Sequence, residues 1–476
     1  MRRADDAIIR KGTVKNDTNR TVILGGGLSG LSAGYILTKA GHAATVIERD
    51  HAVGGLSRTF SKEGFRFDLG GHRFLTGELT VDALLRELMD GELISVSRSS
   101  KIYLRGKYFD YPLRPLNAIF GMGIPVTMRI LADYAREQIR RGRKRPIVSL
   151  EDWVVSNFGR TMFSIYFKEY SEKIWGIDSS LISAEWVAQR IKGLSLGIAI
   201  KNAFVRSSGR GIRTLNDGFL YPESGIGRIA DRLREKIETR NQVATDTSVE
   251  RIYHDGSSVR SIEVMDQRGP RAVEGEAFIS TIPVTQLVRK LDPPPPRPIL
   301  DAAARLRFRD LVVVAVMLDR DRVTDQTWIY IPEKDIPFGR VHEPTNWSRS
   351  MAPPGKTLLV TEFFSSRGDG VWNASDASLV DAAIHGLVRL GFIRSQDVRD
   401  STVIRVPNAY PLLEVGYRQW SEVLHAYLGG FDNLLSAGRS ALFQYYNMDA
   451  AMKSGMEAAG RVMNGEVRTD HSVLGS

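Results

Sequence analysis

The sequence contains no cysteine. That one absence removes disulfides, thiolate metal sites, cysteine nucleophiles and redox dithiols together, and no other metal-ligand pattern takes their place. Long apolar runs are missing too. The densest, residues 311–318, spans eight positions, whereas a membrane-spanning helix needs about 20, so it reads as a buried strand. The opening Met1-Arg2-Arg3-Ala4-Asp5-Asp6 lacks the apolar core of a secretory leader, which points to the cytoplasm. No internal repeat is visible.

What is present is ordinary globular material. The 476 residues are 42% hydrophobic and 25% charged, which predicts two or three domains and excludes a disordered or staple-dependent chain. Lys and Arg number 65 against 55 Asp and Glu, a net charge of +10. Such an excess suits an anionic ligand, nucleic acid or an anionic membrane. The cations are spread along the chain with no base-reading module, so nucleic acid is not an expected partner.

Thr21-Val22-Ile23-Leu24 is a short apolar run that ends in glycines, followed by an apolar-periodic segment to Ala40 closed by Gly41. A second apolar run, Ala44-Thr45-Val46-Ile47, ends at Glu48. This is a strand–helix–strand unit with tight turns, and it predicts a parallel sheet. Residues 111–214 have helical spacing and dense aromatics, and read as a mostly helical insertion. A further helix is expected over 227–237. Strand character returns at 249–253, 259–264 and 277–282, and again at 311–318, 328–331 and 357–363, which suggests a second sheet. A last strand at 434–437 and a last helix at 447–463 complete the series. The domains expected are therefore discontinuous. A nucleotide-binding domain takes 20–110, 215–290 and 431–465, the insertion takes 111–214, a substrate-domain sheet takes 291–430, and 1–19 and 466–476 are tails.

Gly25-Gly26-Gly27-Leu28-Ser29-Gly30 fits G-x-G-x-x-G. The glycines allow a tight turn and a close approach of backbone N–H groups to a pyrophosphate at the helix N-terminus. A strand precedes the motif, a helix follows it, and Glu48 stands where a carboxylate can accept the hydroxyls of an adenosine ribose. The chain continues Arg49 and then Val53-Gly54-Gly55-Leu56-Ser57-Arg58. A second glycine pair with an arginine is more than an NAD enzyme needs, and it resembles flavoproteins of the glutathione-reductase and amine-oxidase type. The resemblance implies FAD in an α/β fold, and with no cysteine to attach it and no histidine in an attachment motif the cofactor is expected to be non-covalent. The parts of the fold are a Rossmann-like FAD-binding domain of glutathione-reductase type, a mostly helical insertion and a second, mixed-sheet substrate domain.

Four further stretches are similar to UDP-galactopyranose mutases, within the wider amine-oxidase and protoporphyrinogen-oxidase group. The first runs from Asp68 through Gly70, Gly71 and His72 to Phe74. The second runs from Tyr166-Phe167 through Tyr170 to Trp175-Gly176. The third is Arg305-Leu306-Arg307-Phe308, and the fourth is Gly438-Arg439 with Tyr445-Tyr446-Asn447-Met448-Asp449. The resemblance implies that His72 lies against the flavin and that Tyr166, Phe167, Tyr170 and Trp175 receive the nucleotide and sugar. It implies that Arg305 or Arg307, with Arg439 and Tyr445, holds the substrate phosphates, and that Tyr446 and Asn447 adjoin the substrate. The cofactor set so implied is Gly25, Gly27, Leu28, Ser29, Gly30, Glu48, Arg49, Gly54, Gly55, Leu56, Arg58, Gly70, Gly71, His72, Val249, Gly438, Arg439 and Met448. The chain also departs from the mutases. Leu75 replaces their second histidine, Asn447 replaces an aspartate, and Arg190-Ile191-Lys192-Gly193-Leu194 lacks their last arginine, with Lys192 as a stand-in and Arg190 a further substrate-binding candidate.

A mutase of this kind uses reduced flavin N5 as the nucleophile on the anomeric carbon of a UDP- or GDP-sugar and interconverts pyranose and furanose rings, with NAD(P)H a candidate external reductant. The main rival is net oxidation or desaturation of an amine, a porphyrinogen or a lipid. A third class is a nucleotide-binding protein without turnover. Residues 116–139 followed by Arg140-Arg141-Gly142-Arg143-Lys144-Arg145 raise peripheral membrane contact, although a solvated helix end is the favoured reading. The sequence leaves the oligomeric state open, a homodimer included.

Overall fold

A computed structural model of the chain describes residues 20–111, 123–140, 146–190 and 218–466. The expected tail at 1–19 lies outside them, as does most of the one at 466–476.

The glycine-rich turn belongs to a five-stranded, all-parallel sheet. Its order is Leu434–Ser436, Ala277–Ser280, Arg20–Leu24, Ala43–Ile47, Gln242–Ala244. Parallel strands are covered on both faces, and so they read as continuous apolar runs. Within the central strand Ile23 faces one core, with the helices Leu28–Lys39, Arg228–Ile237 and Met448–Met463. Val22 and Leu24 face the other core, which is closed by the four-stranded sheet of Ser248–His254, Val259–Asp266, Gly269–Glu274 and Leu291–Asp292.

The second sheet has seven strands in the order Val398–Pro411, Phe308–Leu318, Thr357–Ser365, Arg340–His342, Trp328–Tyr330, Ser100–Leu104, Lys107–Asp110. The apolar run at 311–318 lies in its second strand and is buried on both faces, with Val312, Val314, Val316 and Leu318 toward one core and Leu311, Val313, Ala315 and Met317 toward the other.

Three segments sit elsewhere than the sequence suggested. The hairpin Ser100–Leu104 and Lys107–Asp110, expected with the nucleotide-binding domain, pairs in parallel with Trp328–Tyr330 and so extends the second sheet. The helices Arg297–Arg305 and Tyr417–Leu428, expected with the substrate sheet, bury Ala302, Ala303, Leu424 and Leu428 in a core shared with Val22 and Phe278. Pairing over more than 200 residues leaves no local signal, and an amphipathic helix does not name the sheet it covers.

Among the described residues the insertion is helical: Ile124–Arg140, Leu150–Phe158, Arg160–Met162, a turn of π-helix at Phe163–Phe167, Lys168–Trp175 and Ala184–Arg190. Ser149 starts the second of these with a capping box closed by Asp152.

Candidate active site

The turn at residues 25–30 leaves the strand Arg20–Leu24 and enters the helix Leu28–Lys39. Gly25 has φ +107°, a conformation that L side chains rarely adopt. A Cβ on Gly30 would collide with the Gly25 carbonyl, whereas a Cβ on Gly27 would meet nothing within 4 Å. Gly30 therefore serves the close packing of helix on turn, and Gly27 borders open space. The helix has neither a side-chain N-cap nor an acidic residue in its first turn, so its first N–H groups and dipole are available to an anion.

Glu48 follows the strand Ala43–Ile47 and is 8% exposed. Its Oε2 accepts from Gly26 N at 2.7 Å and its Oε1 from Asp50 N at 2.9 Å. Burial raises its pKa, and those two N–H groups oppose the rise. Each oxygen keeps a lone pair, so the fixed carboxylate can still accept hydroxyls. Beside it the second glycine pair lies along the first: Gly54 N donates to the Gly26 carbonyl at 2.8 Å, and a Cβ on Gly55 would stand 3.2 Å from Gly27 Cα. Arg58 reaches Asp50 at 3.0 Å, while its buried Nε has no hydrogen-bond partner.

These groups line one end of a cavity of about 1210 Å³, larger than the ~300–1,000 Å³ that suits one small ligand. Gly25, Gly27, Leu28, Ser29, Glu48, Arg49, Gly54, Gly55, Leu56, Arg58, Gly71, His72, Val249, Gly438, Arg439 and Met448 all border it. Gly30 and Gly70 do not. Gly70, at φ +105°, brings the chain against Glu362, whose Oε2 would lie 3.0 Å from a Cβ there. The end with Gly27, Glu48 and Arg58 fits a dinucleotide. It offers free helix N–H groups, an open space that a Cβ would fill, a fixed ribose acceptor and an unpartnered guanidinium nitrogen.

The cavity's other walls come from three regions. The insertion contributes Tyr166, Phe167, Tyr170, Trp175 and Trp186. The π-helical turn at Phe163–Phe167 lets Tyr166 and Phe167 both reach the cavity ahead of Tyr170, while Phe163 packs in the core; such turns recur at functional sites. Lys173 locks this helix. Its Nζ donates to the carbonyls of Ile331 (2.9 Å), Glu333 (2.8 Å) and Ile336 (2.7 Å), and burial pushes its pKa down to about 7.

The second sheet contributes Arg340 and Tyr410 to the lining, with Glu362 behind them. Arg340 and Glu362 face each other across antiparallel strands and form an ion pair at 2.6 Å; Arg340 Nη2 also donates to the Tyr410 hydroxyl at 2.9 Å. Burial pushes the Glu362 carboxyl up, and the Arg340 guanidinium and the Gly71 N–H pull it back. The segment after the last strand contributes Arg439, Tyr445, Tyr446 and Asn447. Arg439 lies 4.6 Å from the ring centroids of both Tyr410 and Tyr445, and its buried Nε and Nη2 have no hydrogen-bond partner. His72 lies deep in the protein, with part of its surface on the cavity. Burial first, then Arg439, lowers its pKa to about 4, so its ring is neutral at neutral pH.

Most of the expected residues therefore converge, and a few do not. Arg307 is exposed and paired with Glu414 through two nitrogens. Arg305 is exposed over the Trp420 ring at 5.9 Å. Neither borders the cavity, because both stand at the end of Arg297–Arg305 where it turns away into the strand Phe308–Leu318. Arg190 ends its helix with its side chain outside the described residues, as is the whole of Lys192. Arg340, Glu362, Tyr410, Trp186 and Tyr330 belong to the site and were not anticipated. Only Glu362 carried a signal, as a lone charge within the apolar strand Thr357–Ser365.

The family model described as flavin containing amine oxidoreductase matches residues 28–463. Protoporphyrinogen oxidase 1, chloroplastic, of Arabidopsis thaliana is 22% identical over 464 residues, covering 89% of this chain and 82% of that protein. A crystal structure of reduced UDP-galactopyranose mutase aligns with a TM-score of 0.82 at 24% identity, covering 95% of this chain and 98% of that one. Putrescine oxidase bound to putrescine aligns with a TM-score of 0.63 at 15% identity, covering 94% and 99%. At these identities the likeness to the solved structures is one of fold.

Proposed function

Because the chain belongs to the flavin-containing amine oxidoreductase family, we propose that it is an FAD enzyme acting on a nucleotide-diphosphate sugar, whose ring it isomerises without net oxidation. FAD, when bound, supplies the ring that bonds to or exchanges electrons with substrate. Gly27, Glu48, Gly54 and Arg58 would hold it.

The observation that carries the substrate reading is the partly buried cluster of Arg439, Arg340, Tyr410 and Tyr445. Arg439 borders the cavity, and its buried Nε and Nη2 have no hydrogen-bond partner. Phosphate oxygens complete such a guanidinium fork. An apolar ring or lipid would leave those donors unmet, and the Arg439 guanidinium, which has no carboxylate partner among the described residues, repels a cationic amine. Burial raises the pKa of both Tyr170 and Tyr410. Their hydroxyls therefore keep their protons and can orient sugar hydroxyls, while His72, neutral, holds one proton at its ring. Similarity to protoporphyrinogen oxidase over most of the chain favours net oxidation as the second reading.

The test uses anaerobic, dithionite-reduced holoenzyme with UDP-, GDP- and dTDP-sugars, and products are resolved by chromatography. An isomeric sugar nucleotide is expected, and in a parallel aerobic assay the oxidised holoenzyme should take up no oxygen with amines or porphyrinogens. Arg439→Ala should weaken the isomerisation ten- to a hundredfold, the worth of one charge-assisted hydrogen bond at about 1.5–3 kcal/mol, with FAD retained. Oxygen uptake with an amine or porphyrinogen and no binding of nucleotide sugars would replace the mutase with an oxidase. Bound FAD with neither activity would leave a nucleotide-binding protein.

A further inference from the structure

The 17-residue helix Ile124–Arg140 has two unlike faces. Its inner face buries Ile130 and Thr127, and Val126 and Tyr134 pack with Ile130 against Ile102, Leu104, Phe109, Met162 and Tyr166. Asp133 is turned to the Thr161 hydroxyl, and Glu137 is only partly exposed. The outer face is different in kind. Ile124, Met128 and Ile139 are 77%, 62% and 81% exposed, at spacings that place them on one stripe with the alanines between them. Arg129, Arg136 and Arg140 flank that stripe and are exposed too. No exposed position of this helix carries an acidic residue. Arg140 reaches Glu137 at 3.4 Å, and Arg129 and Arg136 form no ion pair among the described residues.

An ordinary solvated helix face mixes charges of both signs, and large exposed apolar side chains occur singly. An apolar stripe flanked only by cations is the composition that seats a helix in the headgroup region of an anionic bilayer. We propose that the outer face of Ile124–Arg140 docks this protein on an anionic lipid surface, with Ile124, Met128 and Ile139 entering the headgroup boundary and the arginines meeting lipid phosphates. The opposite, inner face of the same helix packs on the cavity wall, since Ile102 and Tyr166 belong to the cluster around Ile130 and also line the cavity. The surface stands apart from the catalytic reading, because vesicle binding needs no substrate.

The test is flotation of holoenzyme with vesicles of phosphatidylcholine alone and with roughly one third phosphatidylglycerol. The wild type should float with the anionic vesicles and stay in solution with the neutral ones, and salt should weaken the binding. The triple change I124S/M128S/I139S should lower the partition by about tenfold or more. The change R129E/R136E should lower it by about fivefold or more per residue. Both variants alter exposed positions only, so FAD content and melting temperature should match the wild type. Equal flotation of wild type and triple variant overturns the proposal, as does wild type that ignores anionic vesicles. A dimer in solution that the triple variant dissolves, without vesicle binding, overturns it in favour of a second copy of the chain.

Discussion

At Gly27 a methyl group would meet nothing within 4 Å, whereas at Gly30 it would run into the Gly25 carbonyl. Two glycines of one motif are thus required for different reasons, and their variants should separate. Gly27→Val should fold with a near-normal melting temperature and lose flavin absorbance, because its side chain grows into the space a pyrophosphate needs. Gly30→Ala should unfold earlier, since backbone must move to admit it. Flavin retained in a folded Gly27→Val protein would show that the turn has another task. A second residue-scale expectation concerns His342, stacked on Trp347 at 5.3 Å and 3% exposed. Burial, then the nearby Arg340 and His72, lowers its pKa from 6.5 to about 3. The folded state refuses a proton that the unfolded chain accepts, so the stability present above pH 6.5 is lost as pH falls toward 3. The slope approaches about 1.4 kcal/mol per pH unit. Between pH 6.5 and 5 the wild type should lose about 2 kcal/mol more than His342→Gln, read from denaturant midpoints. An equal loss in both proteins would place His342 outside the pH response.

Among the elements, the aromatic helix Lys168–Trp175 depends on one side chain. The three carbonyls that Lys173 satisfies lie on the chain after Trp328–Tyr330, so the lysine fixes Tyr170 against Tyr330 across two domains. Lys173→Met should leave those carbonyls unmet and cost about 3 kcal/mol, seen as an earlier thermal transition, with substrate KM raised and FAD content kept. An unchanged transition would mean that packing alone holds the helix. The sequence showed this run as aromatic residues at helical spacing, a pattern that equally describes helix core. The resolution is mixed: Phe163 is core, while Tyr166 and Trp175 are buried yet border the cavity. The Arg340–Glu362 pair was illegible for another reason. Arg340–His342 is a three-residue strand, too short for any periodic signal, and the pair exists only through its register with Thr357–Ser365.

For the whole molecule, the cavity is a product of assembly. Gly27 and Glu48 come with the five-stranded sheet, Arg340 and Tyr410 with the seven-stranded sheet, Tyr170 with the insertion, and Arg439 with the segment after the last strand. A ligand touching all of them ties the domains together. Removing FAD should therefore lower the melting temperature and broaden the transition, and FAD at a hundred times its Kd should restore about 2.7 kcal/mol. A melting temperature that ignores FAD across a titration would mean that the cofactor binds one domain without linking the rest.

The sequence by itself determined the strand–helix–strand unit, the glycine turn, the carboxylate at Glu48 and the second glycine pair, because these act through backbone conformation and hydrogen bonds between near neighbours. It likewise determined that the strand at 311–318 is buried, since eight apolar residues have no other place in water. Tertiary structure alone decided which cations face the cavity. Arg305, Arg307, Arg340 and Arg439 are chemically alike, but Arg307 meets Glu414 at the surface, Arg305 lies over Trp420, and Arg340 and Arg439 are carried inward by strand register and by the left-handed turn at Gly438 (φ +86°). A guanidinium's role depends on which acceptors and how much water surround it, and those are set by residues distant in the chain.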